Sequence, residues 1–216
     1  MKIYVGGPTG KRRDMIVNQY PQVGACLNRD NFSKTTAHSM PWFFDNGAFG
    51  DFRNKKTFNY EKFLKRLWAI EAAIRFSKLP CPDFVVIPDK VCNENSLRYS
   101  IAWLDHLNNV LPYFKYYIAI QDGMNIYEIE KLIKLRAFDG LFLGGSKPYK
   151  YKHGHEWVNL AHKYGLPIHC GGVGSRKTIL WAKMTGFDSC DSALCMIHTS
   201  HLNDVLNIQQ ELLWSA

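Results

Sequence analysis

Three aspartates stand at the ends of apolar runs, and their surroundings decide what each can do. Asp45 begins "DNGAF", where Asn46, Gly47 and Ala48 are small enough for a planar ligand to approach the backbone closely. Asp89 follows Pro88, whose ring fixes the backbone just before it. A fixed carboxylate can accept paired hydrogen bonds from an N–H edge such as that of a guanine-like base. Gln121 adds one donor and one acceptor for the same kind of edge. Gly144 and Gly145 are expected to present bare backbone amides, and "GGVGSRK" (171–177) opens a helix whose free N–H groups could cradle a phosphate. The third acid is one of two in "GFDSCDS" (186–192). Asp188 opens that run and reads as a turn or cap residue. Asp191 closes it, where a desolvated carboxylate can act as nucleophile or general acid/base.

These groups need a scaffold that gathers strand ends on one face. Eight apolar runs recur: 2–7, 23–28, 42–47, 83–89, 116–122, 140–145, 167–172 and 187–192. From the third run onward they alternate with amphipathic segments, at 59–78, 95–111, 125–136, 155–165 and 176–186, with apolar residues at i, i+3, i+4 and i+7. Strands apolar on both faces and joined by helices imply a parallel sheet covered on both sides. Eight such units predict a compact (β/α)8 TIM-like barrel, one domain over residues 1–216, with its active site at the C-terminal ends of the strands. A doubly wound open sheet is the alternative. The first two connections look too short or irregular for full helices. Residues 201–215 read as a closing amphipathic helix.

Several residues have plainer readings. The six cysteines are scattered, with no CxC or CxxC spacing, so neither a disulfide framework nor a structural zinc site is expected; most read as buried small hydrophobes. His153 and His155 lack a third ligand at convincing spacing and read as loop or cap residues; His169, within a strand, reads as a satisfied interior polar group. No metal or cofactor is expected. Trp42, Trp68, Trp103 and Trp181 read mostly as core. Phe44 and Phe49 flank the "DNGA" turn and could stack on a base or pack inward.

The formal charge of +8 favours a polyanionic partner, and the positives are spread along the chain, as an extended phosphate-contacting surface requires. Lys147, Arg176 and Lys177 are the candidates nearest the strand ends. No run is long and apolar enough for a membrane span, and the N-terminus lacks a signal-peptide h-region, so a cytoplasmic protein is expected. A homodimer is one assembly the sequence allows.

Taken in order, "FFDNGAF", "VIPD", "IQDG", "LGGS", "HCGGVGS" and "GFDSCDS" resemble the motifs of the tRNA-guanine transglycosylase superfamily. The resemblance runs from about Phe43 to Ser192. It implies that Asp191 is the nucleophile attacking C1′ to hold a covalent glycosyl intermediate, and that Asp45 is the second acid, used in proton transfer and base contact. It also implies base recognition by Asp89 and Gln121, with Gly144 and Gly145 giving backbone contacts and Asn46, Gly47 and Phe49 lining the same pocket. This chain departs from the tRNA enzymes in lacking their clustered-cysteine zinc subdomain and in its "DNGAF" and "IQDG" motifs. A short, zinc-free chain is more similar to the phage and bacterial DpdA-type proteins, which place 7-deazaguanine bases in DNA. DNA is therefore the expected polymer, ahead of tRNA, and guanine or a 7-deazaguanine the expected base. In a phage protein the compartment would be the host cytoplasm. Hydrolytic removal of a base from DNA by the same nucleophile, a sugar-phosphate isomerase using "GGVGS", and a non-catalytic nucleic-acid-binding barrel are the competing readings.

Overall fold

A computed structural model describes residues 1–135, 137–193, 202–203 and 205–208. Its eight strands pair in parallel, in sequence order, and close: β1 (Lys2–Gly6), β2 (Gly24–Asn28), β3 (Trp42–Asp45), β4 (Val85–Val86), β5 (Tyr116–Ile120), β6 (Gly140–Leu143), β7 (Ile168–Cys170) and β8 (Ser189–Ser192). Closure is made by β8 pairing with β1, with Tyr4 opposite Asp191. The fold is thus the eight-stranded α/β barrel expected from the alternation, and not an open sheet.

Helices cover the outside: α1 (Gly10–Gln19), α2 (Lys34–Ser39), α3 (Ala48–Arg53), α4 (Tyr60–Ser77), α5 (Ser96–Val110), α6 (Ile126–Lys134), α7 (Lys147–Lys163) and α8 (Arg176–Thr185). α4 shows how sequence sets such an element. The Asn59 side chain accepts the Lys62 N–H at its start, and Phe63, Leu67, Ile70 and Ala73 fall on one buried face. Burying each of the larger three contributes about 1.5–3 kcal/mol. Two expectations need correction. The β1–β2 connection holds a ten-residue helix, α1, missed because "GKRRD" hides its periodicity and only Ile16 is fully buried. α7 starts at Lys147, so His153 and His155 lie within a helix and not in a loop. Of the closing helix, residues 202–203 and 205–208 are helical; the rest of that stretch lies outside the described residues, as does Cys195.

The alternation along each strand separates two cores. Ile3, Val5, Leu27, Trp42, Phe44, Val85, Ile118, Leu141, Ile168 and Cys190 face the helices. Tyr4, Phe43, Phe84, Val86, Tyr117 and Ala119 fill the barrel interior. There Phe43 stacks on Phe84 (centroids 4.5 Å apart) and Phe84 on Tyr117 (4.0 Å). Glycines make room for these rings: a Cβ at Gly24 would lie 2.3 Å from Tyr4, and one at Gly140 2.5 Å from Tyr117. Phe44 is buried on the outer side beside Phe63, so it packs against the helices and does not face a ligand. Trp42 is in the core and Trp103 and Trp181 pack against it, while Trp68 is half-exposed. Of the five described cysteines only Cys170 and Cys190 are buried and Cys81 and Cys92 are exposed, which corrects the reading of the cysteines as mostly buried. Among the described residues no helix is long and apolar enough to cross a membrane.

Candidate active site

Above the aromatic floor, the inward positions at the strand ends turn polar. Asp45 ends β3, Asp191 lies on β8, Asp89 follows β4 and Gln121 follows β5. The structure brings these four together.

Asp191 is buried and held. Its Oδ1 accepts two N–H groups, from His169 Nε2 at 3.0 Å and from the Gly172 backbone at 2.9 Å. His169 is fully buried, and its Nδ1 lies 2.9 Å from Ser189 Oγ. Burial holds the imidazole below its ordinary pKa, outweighing the pull of Asp191, so the ring is neutral. A neutral ring that donates to a carboxylate through Nε2 must accept through Nδ1, which assigns Ser189 Oγ–H as the donor there. The ring stacks on Phe142 at 4.9 Å, so it rests on the aromatic floor. The sequence gives no sign of this link, because it depends on the register that sets His169 opposite Ser189 when β7 pairs with β8.

Asp45 is half-buried, and its Oδ2 accepts the Gly47 N–H at 3.3 Å. Burial, then the charges of Asp191 and Asp89, push its carboxyl up to about 7. Gly47 sits at φ +80°, a conformation glycine adopts without strain, and turns the chain into α3. Beneath that turn lies Arg29, which sequence reasoning missed. It is buried, pairs with Asp51, donates to the Asn46 carbonyl at 3.2 Å and covers the Phe58 ring. The guanidinium therefore braces the segment that carries Asp45.

Asp89 is gripped on both oxygens, by Asn46 Nδ2 at 2.7 Å and Gln121 Nε2 at 2.6 Å. Burial still raises its pKa against these two donors. Gln121 Oε1 is buried with no hydrogen-bond partner among the described residues. A buried acceptor without a donor is costly, and a ligand N–H would relieve it.

Other expected contacts need revision. Asn46, placed among the substrate contacts, is 2% exposed; its amide reaches Asp89 and the Ile87 carbonyl, and its Oδ1 accepts the Ala48 N–H. It positions Asp89. Gly144 does not offer a bare amide: its N–H is satisfied by the Ile120 carbonyl at 2.9 Å. Its missing side chain matters more, since a Cβ there would lie 2.9 Å from Gln121 Nε2. Gly145, at φ +74°, lets Asp122 bind Ser146 through both its N–H and its Oγ, each at 2.6 Å. The "GGVGS" amides are also engaged: Gly171 donates to Leu143, Gly172 and Val173 to Asp191, and Ser175 to Thr178 within a capping box. Few donors are left for a phosphate.

Asp188 precedes β8 and sits at the opposite end of the barrel. Its Oδ2 accepts the Ile168 N–H at 2.8 Å and lies 3.1 Å from His162 Nε2. It is structural. Phe49 is 62% exposed on α3, beside the mouth. Lys147 opens α7 and lies over Tyr151, while Arg176 and Lys177 open α8; all three are exposed on the face where the strands end. Lys150, one turn into α7, reaches inward to the Gly171 carbonyl. No protein-family model matches the chain, and no curated protein matches it.

Proposed function

We propose that this barrel is a pentosyltransferase that exchanges guanine in DNA for a 7-deazaguanine base through a covalent aspartyl-glycosyl intermediate. The observation that carries the reading is the pairing of two unlike carboxyls at one mouth. Asp191 Oδ1 is held by two N–H donors, while Asp45, which accepts the Gly47 N–H, is pushed up to about 7, so about half of it carries a proton at neutral pH. Unlike environments of this kind support giving the two acids different roles, Asp191 as nucleophile and Asp45 as proton donor. In the first step Asp191 attacks C1′ as the C1′–N bond breaks, and the departing base takes the proton of Asp45. In the second, the incoming base displaces Asp191 and returns a proton to Asp45. Two displacements through an oxocarbenium-like transition state retain configuration, as in retaining glycosidases.

Asp89 and the unpartnered Gln121 Oε1 supply acceptors for the N–H edge of the base. Phe49 offers an exposed ring for stacking, and Lys147, Arg176 and Lys177 offer phosphate contacts at the rim. The engaged "GGVGS" amides count against the sugar-phosphate isomerase reading. Hydrolytic removal of a base uses the same groups, with water in place of the incoming base.

The test is to incubate the protein with guanine-labelled duplex DNA, with and without a 7-deazaguanine base. Release only when both are present supports exchange, and release without added base supports a glycosylase. Release from tRNA but not DNA would change the polymer, and release from neither would refute the proposal. A trapped adduct should be lost in Asp191→Ala and kept in Asp188→Ala.

A further inference from the structure

The geometry points to a division of labour between the two oxygens of Asp191: Oδ2 forms the bond to the substrate, while Oδ1 is a permanently held charge acceptor set by His169 and Lys150 as positioning residues. This inference rests on the transferase reading above.

Two hydrogen-bonded chains converge on Oδ1. One runs from Ser189 Oγ to His169 Nδ1 and from His169 Nε2 to Oδ1, in steps of 2.9 and 3.0 Å. The other runs through a single peptide unit: the Lys150 ammonium binds the Gly171 carbonyl, and the N–H of the same peptide, that of Gly172, donates to Oδ1 at 2.9 Å. A cation on the carbonyl polarises the amide and strengthens the hydrogen bond its N–H gives. A Cβ on Gly172 would lie 3.8 Å from Lys150 Nζ, so the ammonium stays close to this peptide. With both chains on Oδ1, and no hydrogen bond to Oδ2 among the described residues, Oδ2 is the oxygen left to bond carbon.

The consequence falls on the second step. When the C1′–Oδ2 bond breaks, its electron pair returns to the carboxylate and spreads onto Oδ1. The N–H groups of His169 and Gly172 already lie there. The incoming base supplies the pair for the new C1′–N bond and gives its proton to Asp45. Attack in the first step withdraws charge from the carboxylate, so the same donors help it less. Weakening the grip should therefore slow discharge of the intermediate more than its formation.

Three variants test this in single-turnover reactions with guanine-containing DNA, followed by a chase with a 7-deazaguanine base. His169→Phe keeps a ring on Phe142 but removes the donor; the adduct should form and discharge about 10–100-fold more slowly, the scale of one hydrogen bond to a charged group. His169→Gln, which places an N–H near the same point, should restore discharge to within about fivefold of the parent protein. Lys150→Met should act in the same direction but less, by about 1.5- to fivefold. Equal discharge in the Phe and Gln variants, or a change confined to KM, would overturn the inference. A second readout needs no turnover: nitrogen NMR of the unliganded parent protein should show His169 protonated on Nε2 and bare on Nδ1. A proton on Nδ1 would overturn the grip on Oδ1 whatever the activity. An Nε2 proton with no adduct on DNA or tRNA would leave the grip standing and refute the transferase reading instead.

Discussion

Asp45→Asn removes one of three neighbouring carboxyls without changing the shape of the turn, and the size of its effect follows from the site. The folded carboxyl is pushed from 3.8 up to about 7, first by burial and then by Asp191 and Asp89. Between those values the unfolded chain releases a proton that the folded chain keeps. The parent protein therefore loses stability as pH rises from about 4 to 7, by at most about 1.4 kcal/mol per pH unit. Full displacement would total ~4 kcal/mol; water reaches one side of Asp45, so about 2 kcal/mol is the better expectation. Asparagine does not titrate. The melting temperature of the variant relative to the parent should accordingly rise by about 4–8 °C between pH 4 and pH 8, measured by differential scanning calorimetry. The same substitution should slow base release by about 10²–10⁴-fold and abolish the fall in rate above pH 7. A melting difference that does not vary with pH, or a basic limb that survives in the variant, would refute the assignment.

Further substitutions test the supports. Arg29→Met leaves Asp51 without its buried partner and should cost about 3 kcal/mol in urea unfolding, while a loss below about 1 kcal/mol would show that Arg29 braces nothing. Gly140→Ala sets a methyl 2.5 Å from a Tyr117 ring that is itself stacked on Phe84, so a loss of about 1–3 kcal/mol is expected; Gly50→Ala meets open space and should be neutral or slightly stabilising. Reversing Lys147, Arg176 and Lys177 to Glu should lower the slope of log affinity against log salt for DNA by about 2–3, and an unchanged slope would move the nucleic-acid path elsewhere on the barrel.

The barrel was legible because most strands are apolar on both faces, outward against helices and inward against rings, and because the polar groups collect at strand ends and on β7 and β8. Even β4, paired over only Val85–Val86, stood out as "DFVVIPD". What escaped are side-chain partners on neighbouring strands and loops, which depend on strand register and loop path. Arg29 lies 22 residues from Asp51, and His169 22 from Asp191, with no periodic relation between them. Lys150 carries no mark of its role in the sequence, because its reach to Gly171 depends on how α7 lies against the strand ends. The amides of Gly144 and Gly172 looked available because glycine signals close approach but not what approaches. In both cases the protein itself does: the Ile120 carbonyl in one, the Asp191 carboxylate in the other.

The ring stack of Phe43, Phe84 and Tyr117, with Tyr4 and Phe142 beside it, closes the barrel below the carboxylates. A glycosyl ester on Asp191 would thus sit in a cup with a dry base, reachable by solvent only through the rim that admits the nucleobase. Water and base would compete for one entrance. Whether such an enzyme swaps a base or merely excises it then becomes a question of how well the incoming purine stoppers the opening, a property of rim residues such as Phe49 more than of the acids beneath.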